Sequence, residues 1–301
     1  MTVYVVGNVT EDLVFTLPRL PQEGETLIAT SRLSEMGGKG LNQALILARA
    51  GCDVKLVAAI GEDGAGATAR MLAKTEISNA DLIVVDAPTD QSIIYVAASG
   101  ENHIVSTASA ADALTPDKIT SALVGLAAGD TVLVQGNLGL EATCTALQMA
   151  RTAGAGTVAN PSPIRWNWES LYPLIDLAIV NTQELASLGN HSSIEPAVAA
   201  LRAAGLTDVL VTLGADGAQL FTVADAPLTV PAARTRIVDT AGAGDTFCGV
   251  YLGAGLSGLP PDRALKAAAH AAALTVSRPG TLSAFPTRGE IETCLRDAGE
   301  P

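Results

Sequence analysis

The chain has 301 residues, 48% of them hydrophobic and 16% charged, which excludes a disordered chain. Thirty-one acids against eighteen bases give a net charge of −13, so a nucleic-acid partner, which needs a basic face, is not expected. A chain of this length buries roughly three quarters of its unfolded surface, so it needs no disulfide or metal staple.

Cys52, Cys144, Cys248 and Cys294 form no CxxC pair, and the three histidines are scattered, so no metal-ligand cluster is visible. The N-terminus MTVYVVGNVTEDLVF has no basic region and meets Asp12 early, so it does not read as a signal peptide. No run of ~18 uncharged apolar residues suggests a membrane span. A reduced cytoplasmic protein is the expectation. In that setting the sequons at Asn8-Val9-Thr10 and Asn190-His191-Ser192 are chance matches.

Val3–Val6 reads as a short buried strand ending at Gly7. Residues 12–35, with Pro18, Pro21 and Gly24, read as extended, half-exposed strands that include Thr26–Ala29. Gly37–Gly40 opens a helix, Leu41–Ala50, which Gly51 ends. Lys55–Ile60 is a strand and Gly64–Ala73 a helix. Residues 88–107 read as paired strands, Ser92–Ala98 and His103–Ser106, joined by a turn at Gly100-Glu101-Asn102. Thr115 and Pro116 start the next helix as N-cap and first residue.

Thereafter strands (Thr131–Gln135, Thr157–Asn160, Leu177–Asn181, Asp208–Leu213) alternate with helices (Leu140–Arg151, Glu195–Ala204). Gly217–Val223 and Leu228–Ile237 are expected as antiparallel additions, and Asp245–Gly255 and Asp262–Val276 as alanine-rich helices. That alternation predicts an α/β fold with a doubly wound, mostly parallel sheet flanked by helices. The stretches at about 12–35 and 88–107 are too polar for such a sheet. They are expected to leave it and form a small β-strand lid. Residues 1–301 are expected to be a single domain.

Three glycine patterns are decoys. Gly64–Ala69 and Gly154–Ala159 fit GxGxxA, but neither opens the first strand–helix unit with an acid ~20 residues on. Gly38-Lys39 is followed by Gly40, so there is no P-loop.

Val238-Asp239-Thr240-Ala241-Gly242-Ala243-Gly244-Asp245 is the informative segment. A strand-like run is expected up to Asp239, then small residues, then a helix from about Asp245. Glycines let backbone N–H groups converge where the helix dipole is positive, an anion site made without basic residues. Asp245 beside such a site makes sense as a base that takes the proton of an attacking hydroxyl while amides hold a phosphoryl group. The plainer reading is an Asp in a glycine-rich helix start.

With these residues the chain resembles the ribokinase-like, or PfkB, family of carbohydrate kinases. Asp239–Asp245 looks like the family's DTxGAGD signature and Gly37–Ala44 its GGKGxNQA signature. Asn181-Thr182-Gln183-Glu184 is similar to its NxxE motif, and Thr212–Gly217 to its TLGxxG segment. The four occur in family order across nearly the whole chain. The resemblance implies transfer of the ATP γ-phosphoryl to a sugar hydroxyl, D-ribose to ribose 5-phosphate being the default. Other pentoses, deoxyribose, ketoses or nucleosides stand as alternatives, as does a catalytically silent sensor.

By the same resemblance Asp245 is the base, and Gly242, Ala243 and Gly244 form the anion hole. Asn181 and Glu184 serve the phosphate–magnesium side; alone they read as a helix cap with an acid in its first turn. Thr212, Gly214 and Gly217 belong to the nucleotide segment, and His270 to the adenine side. Asp12, Gly38, Lys39, Asn42 and Asn137 are the candidate sugar contacts. A potassium-type site is implied at Asp239, Ala241, Thr275, Arg278 and Gly280. Two residues depart from the family pattern: Thr10 replaces an asparagine and Asn137 a glutamate. Ala284 stands where a serine is common in the cation loop. A homodimer joined through the lid strands is the expected assembly.

Overall fold

The computed structural model describes residues 1–77, 79–98 and 102–299; Gly100 and Glu101 of the expected turn lie outside them. The strands are β1 (Thr2–Val6), β2 (Thr10–Leu17), β3 (Ser31–Gly37), β4 (Asp53–Ile60), β5 (Asn79–Val84), β6 (Asp90–Ala97), β7 (Asn102–Ser106), β8 (Thr131–Gln135), β9 (Gly156–Asn160), β10 (Leu177–Asn181), β11 (Asp208–Thr212), β12 (Ala218–Phe221) and β13 (Leu228–Val230). The helices are α1 (Lys39–Arg49), α2 (Gly64–Glu76), α3 (Ser109–Asp112), α4 (Pro116–Ala122), α5 (Leu140–Ala153), α6 (Thr182–Gly189), α7 (Ile194–Ala203), α8 (Ala243–Leu256), α9 (Pro261–Val276) and α10 (Arg288–Gly299).

Among the described residues, nine strands form one sheet in the order β13-β12-β11-β10-β9-β8-β1-β4-β5. From β11 to β5 every pairing is parallel; β12 and β13 add antiparallel. Successive side chains on a strand face opposite sides, and the core divides accordingly. Val3, Val5, Leu133, Ile179 and Leu210 join the cluster under α1, α2, α8, α9 and α10. Their neighbours Tyr4, Val6, Val132, Val134, Val180 and Val211 join the cluster under α3 to α7. This is the expected doubly wound sheet.

The order of the sheet reverses between β1 and β8, since the chain runs from β1 outward to β4 and β5 and later from β8 the other way. Ligands of such sheets bind at that switch point, beyond the carboxyl ends of the strands. Here those ends carry Asn8, Gly136 and Asn137, and α1 begins against them. A Cβ at Gly40 would stand 2.6 Å from the Asn8 nitrogen, so only glycine lets α1 start this close. Gly38, at φ 94°, makes the turn into that helix.

Four strands among the described residues form a second, small sheet in the order β3-β2-β6-β7. These are the two polar stretches that were expected to leave the main sheet. Thr26–Ala29 is not part of it: its alternation has no neighbouring strand to pair with, and Ile28 is 83% exposed. β13 ends at Val230 rather than running to Ile237, because Pro231 has no N–H for the ladder. The approach to Asp239 is irregular for the same stretch of chain, not a strand. β5, α6 and α10 complete the fold.

Candidate active site

α1 and α8 approach closely because α8 turns two glycines towards α1 and its C-cap, Ala50. A Cβ at Gly249 would lie 2.6 Å from Ile46 Cγ2, and one at Gly253 would lie 2.8 Å from the Ala50 Cβ. Asp245, Gly249 and Gly253 recur every four residues, so they share one face of α8. That close approach brings the first turn of α1 to the first turn of α8. Asn42 Nδ2 donates to Asp245 Oδ2 at 2.9 Å, and Gln43 Nε2 donates to Oδ1 at 3.0 Å. Lys39 Nζ stands 3.4 Å from the same Oδ1. Asp245 is only 5% exposed, so its charge is held by these donors rather than by water.

Behind the carboxylate lies a buried carboxamide network that the sequence reading did not single out. Gln43 Nε2 also donates to Asn160 Oδ1 at 3.0 Å, and Gln43 Oε1 accepts from Gln135 Nε2 at 2.8 Å. Asn160 Nδ2 donates to the Ile179 carbonyl at 2.8 Å. Lys39 Nζ reaches Asn160 Oδ1 at 3.3 Å. Burial pulls the Lys39 ammonium down, but the carboxylates of Asp245 and Glu184 and the Asp245 bond outweigh it and hold it above the usual lysine range. Cys248, one turn on, is pushed up to about 12 by burial and then by Asp245, so it is a thiol here.

α8 begins at Gly242, which has φ 72° and packs against Phe285: a Cβ there would lie 2.5 Å from the ring. Gly242, Ala243 and Gly244 therefore sit where first-turn amides have no acceptor within the helix. The helix dipole adds positive potential there. This arrangement can hold an anion beside a carboxylate able to take a proton.

Asp12 lies on β2 of the small sheet and is 7% exposed. Thr10 Oγ1 donates to its Oδ1 at 2.6 Å. Its carboxyl sits above the usual range because burial disfavours the charge; bonds from Thr10 and Ser92 pull it back, while Asp245 and Glu35 push it further up. Asn137 follows β8. Its carbonyl accepts from Arg165, which also forks onto Asp112, yet its Oδ1 is buried without a partner. Asn42 Oδ1 is orphaned in the same way. Unpaired buried acceptors are costly, and a ligand's hydroxyls would satisfy them.

On the other side, Asn181 and Thr212 are register partners at the ends of β10 and β11. Asn181 Oδ1 accepts from Glu184 N at 2.8 Å while Glu184 Oε2 accepts from Asn181 N at 2.9 Å, a reciprocal cap of α6. Thr212 Oγ1 donates to the Val180 carbonyl, and Gly214 and Gly217 shape the following turn. His270 is exposed on α9 and lines a groove of about 540 Å³ with Arg234, Thr235 and Cys294.

Asp239 holds two loops together: Oδ1 accepts from Ala241 N at 2.9 Å and Oδ2 from Gly280 N at 3.1 Å. Thr275 Oγ1 shares a 2.8 Å bond with Thr246 Oγ1, and the Arg278 guanidinium pairs with Glu290. Neither side chain is available to a cation, so only their carbonyls could serve one.

The model of the pfkB family carbohydrate kinases matches residues 2–288. The chain belongs to that family. It is a carbohydrate kinase of 31% identity to the ribokinase of Haemophilus influenzae over 304 residues, 99% of each chain. A deoxyribokinase of Salmonella typhi is 30% identical over 295 residues, covering 95% of this pfkB chain and 96% of its own. Among solved structures, the Arabidopsis thaliana ribokinase complexed with ribose and ATP superposes with a TM-score of 0.83 at 26% identity, covering 98% of both chains.

Proposed function

We propose that this carbohydrate kinase converts D-ribose and ATP to ribose 5-phosphate and ADP, with Asp245 as the base. One observation carries the reading: a buried carboxylate, fixed by three donors from α1, stands in the first turn of a glycine-started helix. The sugar hydroxyl loses its proton to Asp245 as its oxygen bonds to the γ-phosphorus. The bond from that phosphorus to the β-phosphate oxygen breaks, and ADP leaves. Gly242, Ala243 and Gly244 offer amides to the transferring group, whose charge they stabilise best when water is excluded. Lys39 supplies a positive charge at the same end of the site.

Asp12, Gly38, Asn42 and Asn137 face the sugar in this reading, and Asp12 can accept from two neighbouring hydroxyls. The nucleotide lies over Thr212, Gly214 and Gly217, with its base towards His270. Magnesium arrives with the phosphates, needing few protein carboxylates; Glu184 offers one near Asn181. When bound, it neutralises charge on the phosphate oxygens. A monovalent cation such as potassium would be held by Asp239 and the carbonyls of Ala241, Thr275, Arg278 and Gly280. Each Asp239 oxygen keeps a lone pair beyond its amide bond.

Residues 1–301 act as one kinase domain, with the small sheet as the lid over the sugar. Leu33, Ile93, Ile104 and Val105 are exposed on that sheet. Leu33 and Ile104 share one face of it, and Ile93 and Val105 the other. A second copy paired along the open edges is the natural cover, so the enzyme is a homodimer through the lid. Its four free cysteines suit the reducing cytoplasm. Among the described residues no helix is long and apolar enough to cross a membrane.

Deoxyribose is the second reading, and the Thr10 bond favours it: one Asp12 oxygen is already engaged, so fewer lone pairs remain for a vicinal diol. An ADP-release screen over ribose, 2-deoxyribose, fructose, hexoses and nucleosides decides between them. No turnover with any of these would overturn the kinase assignment to sugars.

A further inference from the structure

Glu35 lies on the small sheet, directly opposite Asp12 in the β2–β3 register. Directly opposed residues share a sheet face, and like charges in that position repel. Burial chiefly raises the Asp12 carboxyl, and Glu35 adds to that rise after Asp245. Neither the sugar contacts nor the phosphoryl site described above uses Glu35. What it does touch is the loop after α9. Thr281 N donates to Glu35 Oε2 at 3.2 Å, and a Cβ at Gly280 would stand 3.3 Å from the same oxygen.

That loop is attached to the anion hole twice. Gly280 N donates to Asp239 Oδ2, whose other oxygen takes the Ala241 amide one residue before Gly242. Gly242 itself packs on the loop: a Cβ there would lie 3.1 Å from Thr281 Cγ2 and 2.5 Å from the Phe285 ring. Two consecutive amides thus face two carboxylates, Gly280 N towards Asp239 and Thr281 N towards Glu35. The strand carrying Glu35 also runs into Gly37 and Gly38, at the sugar end. One side chain bridges the sheet that carries Asp12 and the loop that supports the phosphoryl site.

We propose that Glu35 is a positioning residue that couples sugar binding on the small sheet to the geometry of the anion-hole loop, through its bond to the Thr281 amide. The inference rests on the phosphoryl-transfer reading of the Gly242–Asp245 segment. A sugar that draws β2 and β3 inward moves Glu35 with them, and Glu35 fixes Thr281 and Gly280 against Asp239 and Gly242. Sugar and nucleotide then favour the same arrangement, and each must tighten the other by the same factor.

The test is a binding cycle on the full-length protein. The Kd of the non-hydrolysable ATP analogue AMP-PNP is measured by calorimetry with and without the best sugar from the screen, for wild type, Glu35→Gln and Glu35→Ala. Glutamine keeps an acceptor for the Thr281 N–H and loses the charge; alanine loses both. We expect roughly 5-fold or greater mutual tightening in wild type and Glu35→Gln, and about none in Glu35→Ala. The alanine variant should also lose kcat roughly tenfold while still binding the sugar alone, a split that mere loss of folding would not give. Retained tightening in Glu35→Ala overturns the proposal. Equal loss in both variants also overturns it, since charge and not the bond would then be responsible. Wild type without mutual tightening overturns it too. A wild type that phosphorylates no sugar would instead sink the underlying reading, and this inference with it.

Discussion

Gln43 Nε2 lies 3.0 Å from Asp245 Oδ1 and 3.0 Å from Asn160 Oδ1, so one fully buried amide ties the proposed base to the end of β9. Gln135 fixes the other end of the same side chain. Gln43 is fully buried and both ends of its amide are bonded within the protein, which makes it a holder of Asp245 rather than a sugar contact. Gln43→Leu should cut kcat roughly tenfold with the sugar KM nearly unchanged, because a misplaced group costs the transition state more than the ground state. Stability should fall by about 1–3 kcal/mol for each buried polar partner left unpaired. Unchanged kcat in a folded Gln43→Leu protein would contradict this role.

Asp245→Asn keeps the shape but cannot take the proton. We expect kcat to fall at least ~10²-fold, the usual scale of general-base removal. Nucleotide affinity, measured by calorimetry, should change little. Near-normal turnover would show that the carboxylate is not the base.

The small sheet and most of the large one were legible in the sequence because alternation and turn residues carry that information locally, but β5, at the large sheet's edge, was not read, and β13 stops at Val230, short of the expected Ile237. Asp245 and its glycines were legible for a related reason: the glycine turn and the helix start that follows it lie in one stretch of chain, although the expected strand up to Asp239 is irregular. Gln43, Asn160 and Gln135 were not. Their meeting depends on the α1–α8 approach over Gly249 and Gly253, a tertiary fact. The only sequence trace is the four-residue recurrence of Asp245, Gly249 and Gly253. Thr26–Ala29 failed in the opposite direction: it has a strand's alternation but no neighbour to pair with. Nothing local in the sequence sets Glu35 apart from the other polar residues of its strand, since its amide partner comes from Thr281, far along the chain.

Asp12 gives a pH test with a definite sign. Its carboxyl is raised chiefly by burial, so the folded protein binds this proton more tightly than the unfolded chain does. Its contribution therefore favours folding below the ordinary carboxylate range and is lost as pH rises through the raised value. Asp12→Asn should consequently match or exceed wild-type Tm at neutral pH, with the difference shrinking as the pH falls. Sugar binding runs the other way, because the hydroxyls need the ionised acceptor. The wild-type sugar KM should climb on acidification from above the usual aspartate range, and Asp12→Asn should show a high KM that varies little with pH. A wild-type KM flat down to the ordinary aspartate pKa would refute the assignment of Asp12 to the sugar.

The open edges β3 and β7 and the exposed Leu33, Ile104 and Val105 give the assembly test. Light scattering should report a dimer at micromolar concentration. Replacing Ile104 and Val105 together by lysine should give a monomer, since charged edges oppose pairing. A wild-type monomer would rule out the lid interface.

Asn137 gives the test of the sugar. Its carbonyl is clamped by Arg165, and its Oδ1 is buried with no donor. An acceptor so placed costs free energy until a ligand hydroxyl reaches it. Thr10, the other departure, spends its hydroxyl on Asp12 Oδ1. If the site is built for ribose, both vicinal hydroxyls must still reach Asp12, and the analogue lacking one should be strongly rejected because buried acceptors are left unpaired. In that case Asn137→Glu raises kcat/KM for ribose modestly, since a charged acceptor bonds a hydroxyl about twice as strongly. If Asn137 and Thr10 instead select another sugar, ribose is a poor substrate and Asn137→Glu shifts preference towards it. We expect the first outcome. The measurement is kcat/KM for ribose, 2-deoxyribose and fructose in both proteins, and a wild-type value about a hundredfold better for either of the other two would show ribose to be the wrong substrate.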